Sequence, residues 1–219
     1  MVNILCIETT TTNCSVALSV NGSVSVLQED YGQKYSHAEL LHVYIEKILH
    51  KANLQLKNLH AIAVSKGPGS YTGLRIGVSS AKGLCFAQDI PLISTATLET
   101  LAHQVSASKG FIIPMIDARR MEAFTAVFKT NYDQVRETQA QVLNDDSFTS
   151  FLNEDKTYFI GNSNAKFAEI CTHTNAVFIN DKLPSAKEMC SLAYKKYQEN
   201  NFEDLAYFEP YYGKDFVSG

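Results

Sequence analysis

The chain has no tryptophan, no Cys-x-x-Cys pair and no apolar run near the ~20 residues that span a bilayer. Its five cysteines, Cys6, Cys14, Cys85, Cys171 and Cys190, are odd in number and lie mostly in apolar runs. That argues against a disulfide scaffold or a zinc knuckle and for buried small hydrophobes. The start, Met1-Val2-Asn3-Ile4-Leu5, lacks the charged and apolar regions of a signal peptide, so a cytoplasmic location without membrane contact is expected. A basic excess is also missing. Nineteen Lys and Arg face 23 Asp and Glu, a net charge of −4, which argues against gripping nucleic acid alone.

Several catalytic signatures are missing too. There is no Gly-x-Ser-x-Gly elbow, because Ser70 in Gly69-Ser70-Tyr71 lacks the following glycine. Gly73 is followed by Leu74-Arg75 and not by the Lys-Ser/Thr of a phosphate loop. His37 and His42 lie five residues apart; on a helix that is a rotation of about 140°, too far to share a metal. No metal site is expected.

What is present is one dense segment, Ser65-Lys66-Gly67-Pro68-Gly69-Ser70-Tyr71-Thr72-Gly73-Leu74-Arg75-Ile76-Gly77. It follows the apolar run 61–64 and opens a helical pattern that lasts to about Gln88. Gly67 and Gly69 permit a tight strand-to-helix turn, with Thr72 placed to cap the helix before Gly73. Gly73, Gly77 and Ala81 then recur at helical spacing as a face of small residues. Two interior glycines cost about 1 kcal/mol each against alanine, which close approach of another helix would offset. That helix lies in the same domain or in a partner.

The apolar runs order the rest. The stretches 2–8 and 14–20 read as strands, Asn21-Gly22 as a hairpin turn and the stretch from Val24 to about Tyr31 as a third strand. Ser36 is placed to cap a helix to about Ala52 whose apolar face is Leu40, Leu41, Tyr44, Ile45, Ile48 and Leu49. Strands follow at 59–64 and 91–94, the second leading into a helix over 98–105. The pattern then restarts, with strands at 111–117, 123–128 and 135–142, a short helix at 147–152, a strand at 158–160, a helix at 165–171, a strand at 177–179 and a helix over 185–199. The residues from 207 on read as an irregular tail. This predicts an α/β chain of two similar halves, 1–108 and 109–219.

Two tandem halves of this kind resemble the actin-like, sugar-kinase-like ATPase architecture with its ribonuclease-H-like subdomains. The narrower resemblance is to the bacterial TsaB family of tRNA threonylcarbamoyladenosine biosynthesis proteins. It rests on Ile7-Glu8-Thr9-Thr10, Cys14-Ser15-Val16-Ala17-Leu18, Ser36-His37-Ala38-Glu39-Leu40-Leu41, the glycine segment 67–77, Pro114-Met115-Ile116-Asp117-Ala118-Arg119-Arg120 and Glu209-Pro210-Tyr211-Tyr212. It covers 1–130 well. The tail departs from it, with Tyr212-Gly213-Lys214 in place of the family's Tyr-Leu-Arg ending.

The resemblance implies a non-catalytic partner of TsaD, the paralogue that transfers a threonylcarbamoyl group to N6 of an adenosine next to the tRNA anticodon. TsaE, an ATPase, completes that machine. It also implies pairing with TsaD through the N-terminal helices, a homodimer when alone, and contact with tRNA only through the complex. The residues expected at the partner face are Leu41, Tyr44, Ile45 and Ile48 from the first helix, and Arg75, Gly77, Val78, Ala81 and Lys82 from the second. A nucleotide site of this architecture would draw on Glu8, Thr9 and Thr10 at the first hairpin, Asp117 at the second and Gly161 in the adenine segment. Here it is degenerate: Glu8-Thr9-Thr10-Thr11-Thr12-Asn13 has no glycine, and Ala118 follows Asp117 where an Asp-x-Gly turn is expected. No cofactor is expected, and weak nucleotide binding stays open. The alternative is a stand-alone nucleotide-dependent transferase or glycoprotease-like peptidase.

Overall fold

The computed structural model describes residues 1–32 and 36–214. The sequence-predicted tail therefore lies partly outside the described residues. Three antiparallel strands open the chain: β1 (Asn3–Glu8), β2 (Cys14–Val20) and β3 (Ser23–Asp30). Asn21 and Gly22 turn between the last two with φ of 49° and 85°, the pair of positive φ values that a tight hairpin requires. Helix α1 (His37–Lys51) crosses to β4 (Ala61–Ser65), and α2 (Tyr71–Gln88) to β5 (Leu92–Thr95). The first sheet has the order β3-β2-β1-β4-β5, with β4 and β5 parallel to β1.

The same construction is then repeated. After α3 (Thr97–Ala102) come β6 (Phe111–Asp117), β7 (Glu122–Lys129) and β8 (Gln134–Val142), again antiparallel. Helix α4 (Thr149–Glu154), β9 (Thr157–Ile160), α5 (Asn164–Ala168) and β10 (Ala176–Ile179) follow. The second sheet, β10-β9-β6-β7-β8, has the strand order of the first. The chain is thus α/β, with two repeated mixed five-stranded sheets, as the sequence pattern predicts.

Residues group into two units, and their division is not a single cut near 108. One unit is Met1–Thr100 with Pro184–Tyr211; among the described residues the other is Leu101–Leu183 with 212–214. Helix α6 (Ala186–Gln198) therefore belongs with the first sheet. The packing shows why. Strand side chains alternate between two faces, so Leu5, Ile7, Ile62 and Val64 meet α1 and α2. Ile4, Cys6, Ala61 and Ala63 meet Ala186, Met189, Cys190 and Ala193 of α6. Both faces of β1 and β4 are covered, which accounts for their unbroken apolar runs. The second unit centres on Phe148, Phe159 and Phe167, all buried, with Phe178 packed against them.

Candidate functional site

The glycine segment and the β1–β2 turn are built against each other. Glu8 ends β1 fully buried, and its Oε1 accepts from the Thr10 N–H and the Thr10 hydroxyl, each at 2.6 Å. Burial pushes its carboxyl above the usual carboxylate range, against the pull of the Thr10 hydrogen bonds. The Thr9 hydroxyl donates to the Gly73 carbonyl at 2.8 Å, and the Ser70 N–H donates to the Thr10 carbonyl at 2.7 Å. Ser70 also caps α2, accepting from the Gly73 N–H at 3.2 Å. Thr72, the predicted cap, is instead exposed in the first helical turn.

A Cβ on Gly73 would run into the Thr9 carbonyl, and one on Gly77 into the Thr9 hydroxyl; Gly69 presses on Thr10 in the same way. The small-residue face thus serves close packing inside its own unit. Gly67 has φ 109° and lies against the Tyr211 carbonyl. The Tyr211 N–H donates to the Lys66 carbonyl at 2.7 Å, so the returning chain straps over this turn.

Most of the predicted partner-face residues pack inside their own unit. Leu41, Tyr44, Ile45, Ile48, Gly77, Val78 and Ala81 are all buried, the apolar ones in the core beneath α1 and α2. Lys82 is part-buried, and its Nζ donates to the Ala206 and Phe208 carbonyls at 3.2 and 3.0 Å, holding the strap. Arg75 alone among the predicted residues is exposed, with its guanidinium 5.5 Å from the Tyr71 ring centroid. His37 is buried, and its Nε2 donates to the Thr11 carbonyl at 2.7 Å. Burial lowers the pKa of its ring.

The outward faces of α1 and α2 carry residues the sequence reading passed over. Phe86 is 82% exposed and Val43 41%. His42, Ser79, Ser80, Gly83 and Leu84 line a shallow cavity of about 370 Å³ between the helices. The Ser80 hydroxyl lies 3.4 Å from His42 Nε2. A Cβ on Gly83 would meet nothing within 4 Å. The signal was available: these positions are the complement of the apolar helical stripe, and a phenylalanine there has no core to enter.

Of the residues assigned to a nucleotide site, Glu8, Thr9 and Thr10 belong to the first unit and Asp117 and Gly161 to the second. The Asp117 N–H donates to Asn162 Oδ1 at 2.8 Å, and its carboxylate accepts from Lys166 Nζ at 2.5 Å. Gly161, at φ 126°, packs on the Met115 carbonyl. Asp117 is thereby tied to its neighbours by a cation and an amide. Among the described residues no three His, Cys, Asp or Glu form a metal-ligating group, and no helix is long and apolar enough to cross a membrane. All five cysteines are free thiols and buried, and burial pushes Cys14 and Cys85 up to about 12.

A family model described as TsaD, tRNA N6-adenosine threonylcarbamoyltransferase, matches residues 32–215. The tRNA threonylcarbamoyladenosine biosynthesis protein TsaB of Haemophilus influenzae is 29% identical over 230 residues, covering 98% of this chain and 94% of that one. TsaB of Escherichia coli is 27% identical over 224 residues, covering 98% and 96%. Among solved structures, a Pseudomonas aeruginosa protein with similarity to the peptidase YeaZ superposes with a TM-score of 0.86 at 23% identity, covering 98% of this chain and all of that one.

Proposed function

The chain belongs to the TsaD family, on its TsaB (YeaZ) side, and from that membership we propose that it is the non-catalytic activating subunit of a tRNA-modifying complex. It takes part in tRNA threonylcarbamoyladenosine biosynthesis. In this reading it binds a TsaD-type paralogue and works with a TsaE-type ATPase in the cytoplasm, and pairs with itself when alone. The observation that carries the reading is the outward face of α1 and α2, where Phe86 stands 82% exposed. An aromatic side chain left in water beside a glycine-floored cavity is an anchor for a partner surface. Gly83 and Ser80 let a second helix approach closely there.

Activation requires that the docked subunit bind the active arrangement of its partner better than the inactive one. Helix α2 suits that task, because hydrogen bonds to Thr9 and Thr10 tie its N-terminal end to the turn that follows β1.

The test is threonylcarbamoyl transfer to tRNA by purified TsaD- and TsaE-type proteins, with threonylcarbamoyl-adenylate as donor, with and without this chain. Transfer that appears only on its addition, and is lost with Phe86→Ser or Gly83→Arg, is the expected result. Light scattering reads the pairing in the same samples. Transfer by this chain alone would make it a catalyst and overturn the reading, as would full activity of both variants.

A further inference from the structure

The β6–β7 hairpin carries charge that the activating role leaves unused. Its tip reads Asp117-Ala118-Arg119-Arg120-Met121-Glu122. Arg119 and Arg120 both lie in the left-handed region, at φ 69° and 50°. Asparagine and glycine are the ordinary occupants of such positions, and two successive arginines there are strained. Strain of this kind persists only where surrounding structure holds it, and it collects at functional sites.

The holding structure is a pair of lysines. Lys166 Nζ donates to the Arg120 carbonyl at 2.9 Å, to the Glu122 carbonyl at 2.5 Å and to the Asp117 carboxylate. Lys214 Nζ donates to the Ala118 carbonyl at 3.4 Å and pairs with the Glu122 carboxylate. Both carboxylates of the hairpin are therefore already neutralised. The guanidinium groups of Arg119 and Arg120 are exposed and form no hydrogen bond or ion pair with any described residue. Four cations against two carboxylates leave an excess of two positive charges at this tip, in a chain whose net charge is −4.

Adjacent guanidiniums repel each other, and a multivalent oxyanion relieves that repulsion. The planar fork of arginine matches phosphate oxygens in pairs. We propose that Arg119 and Arg120 form a contact for the phosphate backbone of RNA, namely the tRNA on which the complex acts. This rests on the reading under Proposed function. A two-phosphate contact positions an RNA without reading its sequence. In an acidic protein it binds tRNA only weakly by itself, measurably at low salt, and its contribution is largest within the complex.

The test measures tRNA affinity by fluorescence anisotropy across a salt series, for the assembled complex and for this chain alone. Wild type is compared with the double variants Arg119→Gln/Arg120→Gln and Arg119→Lys/Arg120→Lys. Loss of two phosphate contacts lowers the slope of log affinity against log salt by about 1.4–1.8. The glutamine pair should show that drop with a loss of affinity of about tenfold at low salt, and the lysine pair should keep the wild-type slope. An unchanged slope for the glutamine pair, in the complex and in the chain alone, overturns the proposal while leaving the activating role intact. Failure of the complex to assemble defeats the activating role, and the chain-alone series then decides this one. Protection of the two arginines from phenylglyoxal by ATP or inorganic phosphate but not by tRNA would also overturn it, in favour of a small-phosphate site.

Discussion

The hydroxyl of Thr9 occupies the space that a side chain on Gly77 would need. The same hydroxyl donates to the Gly73 carbonyl at 2.8 Å, so one threonine of the β1–β2 turn accounts for both helical glycines. Alanine at Gly73 must push back the Thr9 main chain, and overpacking of that kind costs about 1–3 kcal/mol. Alanine at Gly77 meets only the Thr9 side chain. Gly77→Ala should therefore destabilise less than Gly73→Ala, and Thr9→Ala should recover part of its loss. Gly83 is the internal control, with open space where its Cβ would go; Gly83→Ala should stabilise by about 0.5–1 kcal/mol. Urea unfolding of the three single variants and of the Thr9→Ala/Gly77→Ala pair checks the order. Equal effects at Gly77 and Gly83 would refute it.

Much of this fold is legible in the sequence because it is local. Asn21-Gly22 makes its hairpin through its own backbone preferences, and the alternation of Leu5 and Ile7 with Ile4 and Cys6 already describes a strand covered on both sides. What stayed hidden is which distant element does the covering. The amphipathic pattern of α6 gives a helix with one apolar face, but nothing in it says that Met189 and Cys190 return to the first sheet and not the second. The small-residue stripe on α2 likewise announces a close approach without saying whose backbone approaches. Thr9 lies far away in sequence, so the stripe alone leaves its own domain and a partner both open, and the structure supplies Thr9. The error in the cap has a different cause. Ser70 and Thr72 are both good capping residues two positions apart, and the choice is made by the Thr10 carbonyl, which fixes the Ser70 N–H outside the helix.

Lys82 tests the strap. Its ammonium holds the Ala206 and Phe208 carbonyls against α2. Hydrogen bonds to a charged donor contribute about 1.5–3 kcal/mol each when intact and shielded, less at a part-exposed site. Lys82→Met should leave global unfolding within about 1–2 kcal/mol of wild type. It should speed amide exchange between Glu203 and Tyr211 while leaving α2 itself protected. Uniform acceleration across the first unit would mean that Lys82 supports the core instead.

In the second unit a cluster of aromatic rings sits within the buried core. Phe167 is fully buried, with centroids 5.3 Å from Phe148, 4.9 Å from Phe159 and 6.0 Å from Phe178, each in an edge-to-face arrangement. Phe167→Ala removes a ring shared by three others and should cost about 3–5 kcal/mol. Phe167→Leu keeps most of the volume and should cost much less. Calorimetry of both variants reads the difference. A cost below about 1 kcal/mol for the alanine variant would show that the cluster is not packed as described.

Glu8 gives the chain a pH dependence of unusual sign. Most carboxylates are held below their ordinary pKa by partners and lose stability as the pH falls. Glu8 is fully buried, and burial raises its pKa. Between its unfolded and folded pKa values the folded chain binds more protons than the unfolded one, so stability contributed by this group falls as the pH rises through that window. Below the window both states are protonated and the contribution is flat. Glu8→Gln keeps an oxygen for the Thr10 N–H and hydroxyl and removes the titration. The variant should match wild type in acid and become the more stable protein as the pH rises past the ordinary glutamate range. The measurement is thermal unfolding of both proteins from pH 4 to 8. A difference that is constant across the series, or that grows toward acid, would show that Glu8 is held as a carboxylate and that the hydrogen bonds from Thr10 outweigh its burial.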